Sequence, residues 1–435
     1  MTALDPRTIR RRFVLLRALR WLPTGMLIPV MVLLLTQRGL SLAQIGLVFA
    51  AQGVVVLVLE LPTGGLADAL GRRPVLIGAT AIDLLSLTLF AIAPSLIVLV
   101  AWAGLQGVYR ALESGPLDAW FVDASLAADA HADIERGLGL ASAALSIAIA
   151  VGALGSGALV AAAPVAGLDP LLLPVLIAVG LRLLDLAALW WLMTEVRAPL
   201  GAGAWRRSVR SVPAVVGDAV RTVRGSHVLL ALVSVELLWG FGMPTFETLL
   251  PARLAEVAGG TDAAGALLGP AVTVAWVASA AGAAVIPAVA RRWGAANAAI
   301  AMRLGQGATV AAMGLAAGTA GLLVAYVATY AVHGAANPVH QGLLHRQVGP
   351  AHRTTVLSAN SMLSHPAGAL GGITLGALAD ATGIGTAMLV GAVVLAAAAP
   401  LYLPARRAEA SNSSRRAKPA MAATTFDGTA STRRL

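Results

Sequence analysis

Long apolar runs separated by short polar joints dominate this chain of 435 residues. A bilayer core about 30 Å thick needs roughly 20 apolar residues in each crossing helix. Runs of that length recur along the whole sequence, and the joints between them carry glycine, proline or charge. The pattern predicts an all-α integral membrane protein with twelve transmembrane helices, at residues 19–37, 42–63, 74–92, 95–122, 137–162, 170–194, 227–250, 263–289, 295–317, 320–345, 354–378 and 383–403.

The longest internal polar segment divides these spans into two sets of six. Six helices, a basic connector and six further helices are typical of two bundles with a cavity between them. The last segment is small, polar and basic, a composition that favours disorder. We therefore expect an N-terminal six-helix bundle at 1–195, a cytoplasmic basic connector at 196–226, a C-terminal six-helix bundle at 227–405 and a disordered cytoplasmic tail at 406–435.

Composition supports the membrane assignment, because 58% of the residues are hydrophobic and only 12% are charged. Of the basic side chains, Arg38 and Arg253 lie in odd-numbered loops, and Arg110, Arg182 and Arg303 lie within spans. The others lie at the termini or in even-numbered loops, with Arg20 counted as part of the flank of span one, and the positive-inside rule places these parts in the cytoplasm. The net charge of +10 is therefore an orientation signal, and we expect a lipid bilayer around the chain and no nucleic-acid partner.

The residues that the chain lacks exclude disulfides, thiolate metal sites and one type of ATP site, and they argue against a cleaved signal peptide. It has no cysteine, so disulfides and thiolate metal sites are excluded, and we expect neither a metal nor another cofactor. Lys418 is the only lysine and no Walker sequence surrounds it, which excludes that type of ATP site. Span one follows basic residues but lacks a small-residue cleavage site, so we expect it to be retained as a helix.

The joint between spans two and three reads ELPTGGLADALGRRPVL, from Glu60 to Leu76. It resembles the motif G-x-L-A-D-[RK]-x-G-[RK]-[RK]-x-x-L of the major facilitator superfamily, and it departs from that motif at Ala69, where the family usually has a basic residue. The twelve spans, the basic connector and the internal termini extend the resemblance over essentially the whole chain. The resemblance implies transport by alternating access, with this loop at the cytoplasmic gate.

The glycines of the motif suit a sharp turn. Gly64 and Gly71 can adopt backbone angles that other residues avoid, and Pro62 is expected to end or kink span two before the turn. A degenerate echo in the second half aligns Gly294 with Gly71. A second echo, LADATG at 378–383, falls on the opposite side of the membrane, and we interpret it as a chance or decayed match.

The charged residues of the motif suit a gate. Asp68 can face the positive N-terminal end of a helix from the other bundle. Arg72 can pair with Asp123, at the cytoplasmic end of span four. Such contacts would hold the inner gate shut in one state and break in the other. The alternative is that Arg72 and Arg73 only anchor the topology. The predicted gate residues are Gly64, Asp68, Gly71, Arg72, Arg73 and Asp123.

Ionisable side chains within spans are costly to bury, so each is a candidate for function. In span four, Gln106, Arg110 and Glu113 share one helical stripe, with Asp118 on its flank. An arginine followed by a glycine here resembles the family motif R-x-x-x-G, although Gly115 comes one position late, and the resemblance implies a part in proton transfer for Arg110. Alternatively, Arg110 and Glu113 form a structural ion pair.

Span seven places a carboxylate, an indole and a thioether on one face, at Glu236, Trp239 and Met243. Pro244 would kink the helix beside them. This combination suits a lipophilic cation, through charge and cation–π attraction. The alternative is an aromatic packing seam, and for Glu247 we favour a position at the outer interface.

Span ten carries His333, Asn337 and His340 on one polar stripe, which suits either a proton relay or hydrogen bonds between helices. In the family, helices three, six, nine and twelve usually lie outside the cavity. The resemblance therefore implies a structural pair for Arg182 and Asp185 in span six, whereas Asp83 in span three has no assigned role.

The sequence and the resemblance lead to a secondary active transporter of the plasma membrane, acting as a monomer on a small-molecule substrate. Proton-coupled export of an amphipathic molecule, as in multidrug or metabolite efflux, is the leading hypothesis, although span five carries spaced glycines without the Gly-Pro step of many proton-driven exporters. Proton-coupled uptake of a nutrient or metabolite, a membrane-embedded transferase and a non-transporting sensor stay open. We expect no enzymatic activity, because Asp118 and Asp123 lie too far apart around a helix to share a metal.

Overall fold

A computed structural model describes residues 5–163, 165–195, 201–348 and 353–411 of the protein, and these residues contain helices and no β-strand. The N-terminal bundle consists of α1 (Pro6–Leu27), α2 (Met31–Gln37), α3 (Leu42–Leu70), α4 (Arg72–Ile92), α5 (Leu96–Glu113), α6 (Pro116–Ala128), α7 (Ile134–Ala162) and α8 (Leu172–Leu192). The connector contains α9 (Ala202–Arg224). The C-terminal bundle consists of α10 (His227–Gly242), α11 (Pro244–Glu247), α12 (Leu249–Ala258), α13 (Thr261–Trp293), α14 (Ala295–Leu315), α15 (Thr319–Gln347), α16 (Arg353–Thr382) and α17 (Ile384–Ala397), followed by a 3₁₀ turn at Ala399–Tyr402.

Ten helical segments of the described chain are each long and apolar enough to cross a bilayer. The helices α14 and α16, at the positions predicted for spans nine and eleven, are richer in small and polar residues and complete the set of twelve. Spans one, four, seven and twelve are each built from more than one helical piece. The all-α membrane fold with twelve spans in two bundles is therefore confirmed.

Span four is interrupted, although the sequence predicted one continuous helix. The helix α5 ends at Glu113, and α6 begins at Pro116. Between them Gly115 has a φ of 94°, which L-residues with side chains rarely adopt. Pro116 then occupies the first turn of the new helix, where its missing N–H costs nothing. Span seven is also interrupted beside Pro244, as predicted, although Met243 before the proline keeps an α-helical backbone, with a φ of −55° and a ψ of −40°.

The turn after span two differs from the prediction. The helix α3 continues through Pro62 and Gly64 and ends at Leu70, so Gly64 lies inside a helix rather than in the turn. One proline removes a single backbone hydrogen bond, and the packing of α3 against α5, α9 and α16 maintains the helix around it. The turn itself depends on Gly71, which has a φ of 94° and leads directly into α4.

Each bundle is held by contacts among its own spans. In the first half, α1 packs against α7 and α8, and α4 packs against α5 and α8. In the second half, α13 packs against α15, and α14 packs against α15 and α17. The amphipathic helix α9 of the connector lies against α3, α10 and α16. It therefore contacts both bundles.

The two bundles meet through their extracellular halves. Gly46 of α3 lies against Gly372 of α16, and Gly157 of α7 lies against Gly269 of α13. A Cβ atom at Gly46, Gly157 or Gly269 would overlap the opposing backbone, so the helices approach as closely as glycine allows. The structure is therefore closed between the bundles on the extracellular side.

The C-terminal end is more ordered than the sequence predicted. Helical structure continues to Ser411, so residues 406–411 of the predicted disordered tail are helical, and residues 412–435 lie outside the described part. Glu409 accounts for this order, because its carboxylate accepts a hydrogen bond of 3.2 Å from the Ala296 N–H and pairs with Arg346 at 3.1 Å.

Candidate functional site

The predicted gate motif is fixed to its own bundle by charged contacts. Arg72 at the start of α4 forms an ion pair with Asp123 of α6. The Arg73 N–H donates to the Glu195 carboxylate at 3.0 Å, and the Arg73 guanidinium donates to the Trp190 carbonyl at 2.7 Å. The loop between spans two and three is therefore tied to the cytoplasmic ends of spans four and six. Glu195 is a contact that the sequence analysis missed.

Asp68 behaves differently from its neighbours in the motif. Its side chain is exposed and makes no ion pair with the residues that the structure describes. In this extracellularly closed structure, Arg72 and Arg73 of the motif therefore have partners within their own bundle, whereas the Asp68 carboxylate is exposed.

The second half repeats this loop geometry. Gly294 separates α13 from α14 with a φ of 83°, as Gly71 separates α3 from α4. Glu409 receives the Ala296 N–H beside Gly294, as Glu195 receives the Arg73 N–H beside Gly71. The echo found in the sequence therefore has a structural counterpart, although the arginine–aspartate pairing of the first half is not repeated among the described residues.

A buried charged cluster occupies the interior of the N-terminal bundle. We call it the N-cluster, and its members are Arg20 of α1, Asp83 of α4, Glu113 of α5, and Arg182 and Asp185 of α8. Four of the five side chains are at most 2% exposed, and Glu113 is 15% exposed. The cluster joins spans one, three, four and six.

The N-cluster is held together by alternating charges. Arg182 contacts Asp83 at 2.5 Å and Asp185 at 3.1 Å. Arg20 contacts Glu113 at 3.3 Å and Asp185 at 4.0 Å. The Arg182–Asp185 pair was predicted, whereas Asp83 now has a partner that the sequence did not indicate.

Aromatic and polar groups complete the N-cluster. Tyr109 lies beneath both guanidiniums, with its ring centroid 5.6 Å from Arg20 and 5.0 Å from Arg182. The side chain of Gln106 lies near Asp83. Each of these aromatic and polar contacts stabilises charge in a region without bulk water.

These contacts bear on the alternatives for span four. The Arg110–Glu113 ion pair, one of the two alternatives for this stripe, does not form, because Glu113 contacts Arg20 of span one. Asp118 pairs with Arg17 of α1 at the bundle surface. Arg20 itself, which the charge count assigned to the cytoplasmic flank of span one, is 1% exposed inside the bundle. The polar stripe of span four is thus divided between the buried cluster and the surface.

A second polar cluster occupies equivalent spans of the C-terminal bundle. We call it the C-cluster, and its members are Glu236 of span seven, Arg303 and Gln306 of span nine, His340 of span ten, Asn360 of span eleven and Tyr402 of span twelve. Counted in order along each half, spans seven, nine, ten and twelve correspond to spans one, three, four and six. The two bundles therefore carry polar cores at related positions.

His340 is at the centre of the C-cluster. Its Nδ1 lies 2.9 Å from the Tyr402 hydroxyl, and its Nε2 lies 3.4 Å from the Asn360 oxygen and 3.6 Å from Glu236. Arg303 donates to Gln306 at 2.8 Å and acts electrostatically on Glu236. One carboxylate and one guanidinium thus balance each other here.

The other two residues of the span-ten stripe lie elsewhere. The ring of His333 stacks on Trp239 at 5.6 Å, and it lies 5.8 Å from Phe246 and 6.0 Å from Tyr330. Asn337 is exposed. The predicted polar stripe is therefore divided between the C-cluster, an aromatic group and the surface.

This aromatic group, the aromatic wall, is formed by spans seven, eight and ten. Its members are Trp239, Phe246, Trp276, Tyr326, Tyr330 and His333. Met243 is half-buried and packs against the same core. The predicted face of span seven is thus continuous with aromatic residues that the sequence analysis did not connect, since they come from spans eight and ten.

Two pairs of charged residues approach each other across the bundles beside the aromatic wall. The first pair is Arg110 of span four and Glu247 of span seven: both side chains are exposed, and the Arg110 charge acts on the Glu247 carboxylate. Neither forms an ion pair with the described residues. Glu60 of α3 and His365 of α16 approach to 4.0 Å, again across the bundles. Glu247 therefore belongs to the interior and not to the outer interface where the sequence analysis expected it.

No group of three or more metal-binding side chains comes together in the part of the chain that the structure describes. An aromatic group beside opposite charges that act on each other across the two bundles suits an organic solute. Two six-helix bundles around such a site define a membrane transporter.

Comparison with known proteins identifies the family. The model described as Major Facilitator Superfamily matches residues 13–372, and the chain belongs to that superfamily. It is a multi-pass protein of the plasma membrane and a transporter rather than an enzyme, and its fold moves solutes by alternating access. A search of curated proteins found no match.

Several solved structures share the fold. The nucleoside transporter NupG aligns with a TM-score of 0.75 at 15% identity, over 91% of this chain and 98% of that one. A bacterial homolog of the human lysosomal transporter Spinster, in an inward-facing and unoccupied conformation, aligns with a TM-score of 0.71 at 16% identity, over 92% and 97%. The human organic anion transporter MFSD10 (TETRAN) aligns with a TM-score of 0.58 at 17% identity, over 92% and 100%.

Proposed function

We propose that this transporter exports a small amphipathic molecule in exchange for protons. The proposal has two parts, a cargo site between the bundles and a proton site in the N-cluster. The observation that carries the coupling is the charge count of the N-cluster, which has three carboxylates and two guanidiniums.

The cargo site is supported by the aromatic wall and its charged neighbours. The wall offers stacking surface for a planar or apolar group, and Met243 adds an adaptable apolar contact. Arg110 and Glu247 offer charges of both signs, because neither is consumed by an ion pair with the described residues. A solute with an apolar body and a charged group would satisfy both features.

The proton site follows from charge balance. Two guanidiniums neutralise two of the three carboxylates, and a third charge in a dry interior costs several kcal/mol. A proton on one carboxylate removes that cost. The C-cluster is balanced without a proton, since Glu236 faces Arg303. This difference favours the N-cluster as the coupling site.

Glu113 is the carboxylate through which we propose the proton enters. It is 15% exposed, whereas Asp83 and Asp185 are at most 1% exposed. Glu113 also lies one helical turn from Arg110, which belongs to the proposed cargo site. Protonation would weaken the Glu113–Arg20 contact, which joins spans four and one, and this would link proton binding to the packing beside the cargo.

Proteoliposomes with an internal pH dye and an imposed pH gradient test both parts. Lipophilic cations, zwitterionic antibiotics and sugars are added to wild type, to Glu113→Gln and to the matched control Asp118→Asn. We expect substrate-driven proton movement in wild type and in the control, and at least a tenfold loss in Glu113→Gln. Glu113→Gln should still exchange labelled substrate for unlabelled substrate, because the cargo site is intact.

The remaining results distinguish the rival hypotheses. If substrate-driven proton movement is lost in Glu236→Gln and normal in Glu113→Gln, the coupling site lies in the C-cluster and not in the N-cluster. Flux driven inward by an inward proton gradient in oriented vesicles would replace export with uptake. No substrate-dependent flux with any compound would contradict the proposed function and favour a sensor.

We further propose that Asp68 closes the cytoplasmic side in the opposite state. Its exposed carboxylate at the end of α3 is free to meet the N-terminal end of span eleven when the inner halves of the bundles approach. Asp68→Asn should lower the transport rate without lowering the amount of protein in the membrane. A wild-type rate for Asp68→Asn would contradict this role.

A further inference from the structure

The extracellular ends of spans two and eleven are joined by an aspartate that no comparison assigns. The carboxylate of Asp380, in the last turn of α16, accepts hydrogen bonds of 2.9 Å from the N–H groups of Leu42 and Ala43. These are the first two residues of α3, whose N–H groups have no partner within their own helix. The carboxylate of one bundle thus caps a helix of the other.

The contact combines charge with close backbone packing. A carboxylate at a helix N-terminus faces the positive end of the helix dipole, and its hydrogen bonds are charge-assisted. One turn before Asp380 in α16, Gly376 lies against Leu42, and two turns before it Gly372 lies against Gly46. The cap can form only when these outer halves touch, so it is specific to the extracellularly closed state.

Asp380 also has a defined place in the sequence. It lies three residues before Gly383 in LADATG, as Asp68 lies three residues before Gly71 in LADALG. Both glycines have a positive φ, 98° and 94°, and each directly precedes the next helix. The segment that the sequence analysis interpreted as a chance or decayed match therefore has the backbone arrangement of the gate motif, on the other side of the membrane.

We propose that Asp380 is the extracellular latch of this transporter, which stabilises the closed outer entrance by capping span two. The latch requires the alternating-access fold and is independent of the cargo and of proton coupling. It adds a functional residue to span eleven, outside the aromatic wall and the polar clusters.

The absence of cysteine in the chain makes the latch measurable by spin labelling. Labels at Ala161 and Ala317 report the distance between the bundles outside, and labels at Ser142 and Ala288 report it inside; all four positions are exposed. We expect Asp380→Asn to raise the ratio of long to short outer distances about tenfold and to shorten the inner distances, without any substrate. Asp380→Glu should restore part of the closed population.

Leu42 allows the same contact to be tested from the donor side. Proline at this first helical position removes the N–H without breaking the helix, since Ser41 before it is extended, with a φ of −69° and a ψ of 160°. Leu42→Pro should open the outer side as Asp380→Asn does, whereas Leu42→Ala, which keeps the N–H, should not. Leu42→Pro should add little to Asp380→Asn.

Asp262 provides the matched control, because it is an exposed carboxylate on the same side, in the first turn of α13. Asp262→Asn should leave all distances unchanged. Unchanged distances in Asp380→Asn, or equal opening by Asp262→Asn, would overturn the latch. Because the readout is a distance without substrate, failure of the proposed export would leave this result intact, and failure of the latch would leave export untouched.

Discussion

Asp83 illustrates how buried charge is tolerated in this protein. Its side chain is 1% exposed and contacts Arg182 at 2.5 Å, and Arg182 is buried to the same degree. Such pairs add little net stability when they form, because both charges lose water. Removing Arg182 is different, since Asp83 is then left buried without its closest cation and Asp185 keeps only Arg20, at 4.0 Å.

Arg182→Gln should therefore lower stability strongly, by about 3 to 5 kcal/mol. Asp118→Asn should cost about 0 to 1 kcal/mol, because Asp118 is 45% exposed and its pair with Arg17 is solvated. Thermal unfolding of the purified proteins in detergent compares the two variants. Equal losses of melting temperature would contradict the assignment of Asp83 and Arg182 to a structural core of the N-cluster.

Helices in this protein are shaped by glycine at two kinds of position. Gly115 and Gly71 supply a positive φ where one helix ends and the next begins. Gly157 has no such backbone requirement, and its role is contact: a Cβ there would lie 2.9 Å from the Ala266 oxygen and 2.9 Å from the Gly269 Cα. Spans five and eight can meet only because neither carries a side chain at the crossing.

Gly157→Val should consequently separate spans five and eight in their outer halves and favour the outward-open state. Gly155→Val is the matched control, because a Cβ at Gly155, in the same helix, meets no atom within 4 Å. A cysteine pair across the two spans should crosslink less in Gly157→Val than in Gly155→Val. Equal crosslinking would contradict the contact role of Gly157.

At the scale of the whole molecule, the distribution of arginine specifies the orientation in the membrane, and the two halves repeat the same structural features. The two polar clusters occupy corresponding spans, and Glu195 and Glu409 fix the same loop in each half. The repeat is one of geometry more than of residues, since the N-cluster has an excess of carboxylates and the C-cluster is balanced. Under the proposed coupling, related frameworks with different charge let the N-terminal bundle bind a proton while the C-terminal bundle needs none.

The orientation of the molecule can be tested directly. Ser95 is exposed in the loop between spans three and four, and Ala130 is exposed in the loop between spans four and five. Single cysteines at these positions, in intact cells, should react differently with a membrane-impermeant maleimide. We expect labelling at Ser95→Cys, and labelling at Ala130→Cys only after permeabilisation, because the positive-inside rule places the second loop in the cytoplasm. The reverse pattern would invert the topology.

The sequence by itself determined the class of fold, the number of spans and their orientation. These properties depend on the length of apolar runs and on the distribution of arginine, and both act locally as each helix enters a bilayer of fixed thickness. The motif at Asp68–Arg73 could also be recognised from the sequence, because its residues are close together in the chain.

The tertiary structure decided which charges meet. Arg20 lies near the predicted edge of span one, and only the packing of α1 beside α5 and α8 brings it to Glu113 and Asp185. Asp380 and Leu42 are 338 residues apart, and helical periodicity carries no information about a partner at that distance. Partners of buried polar groups are set by which helices become neighbours, and that is a property of the assembled bundles.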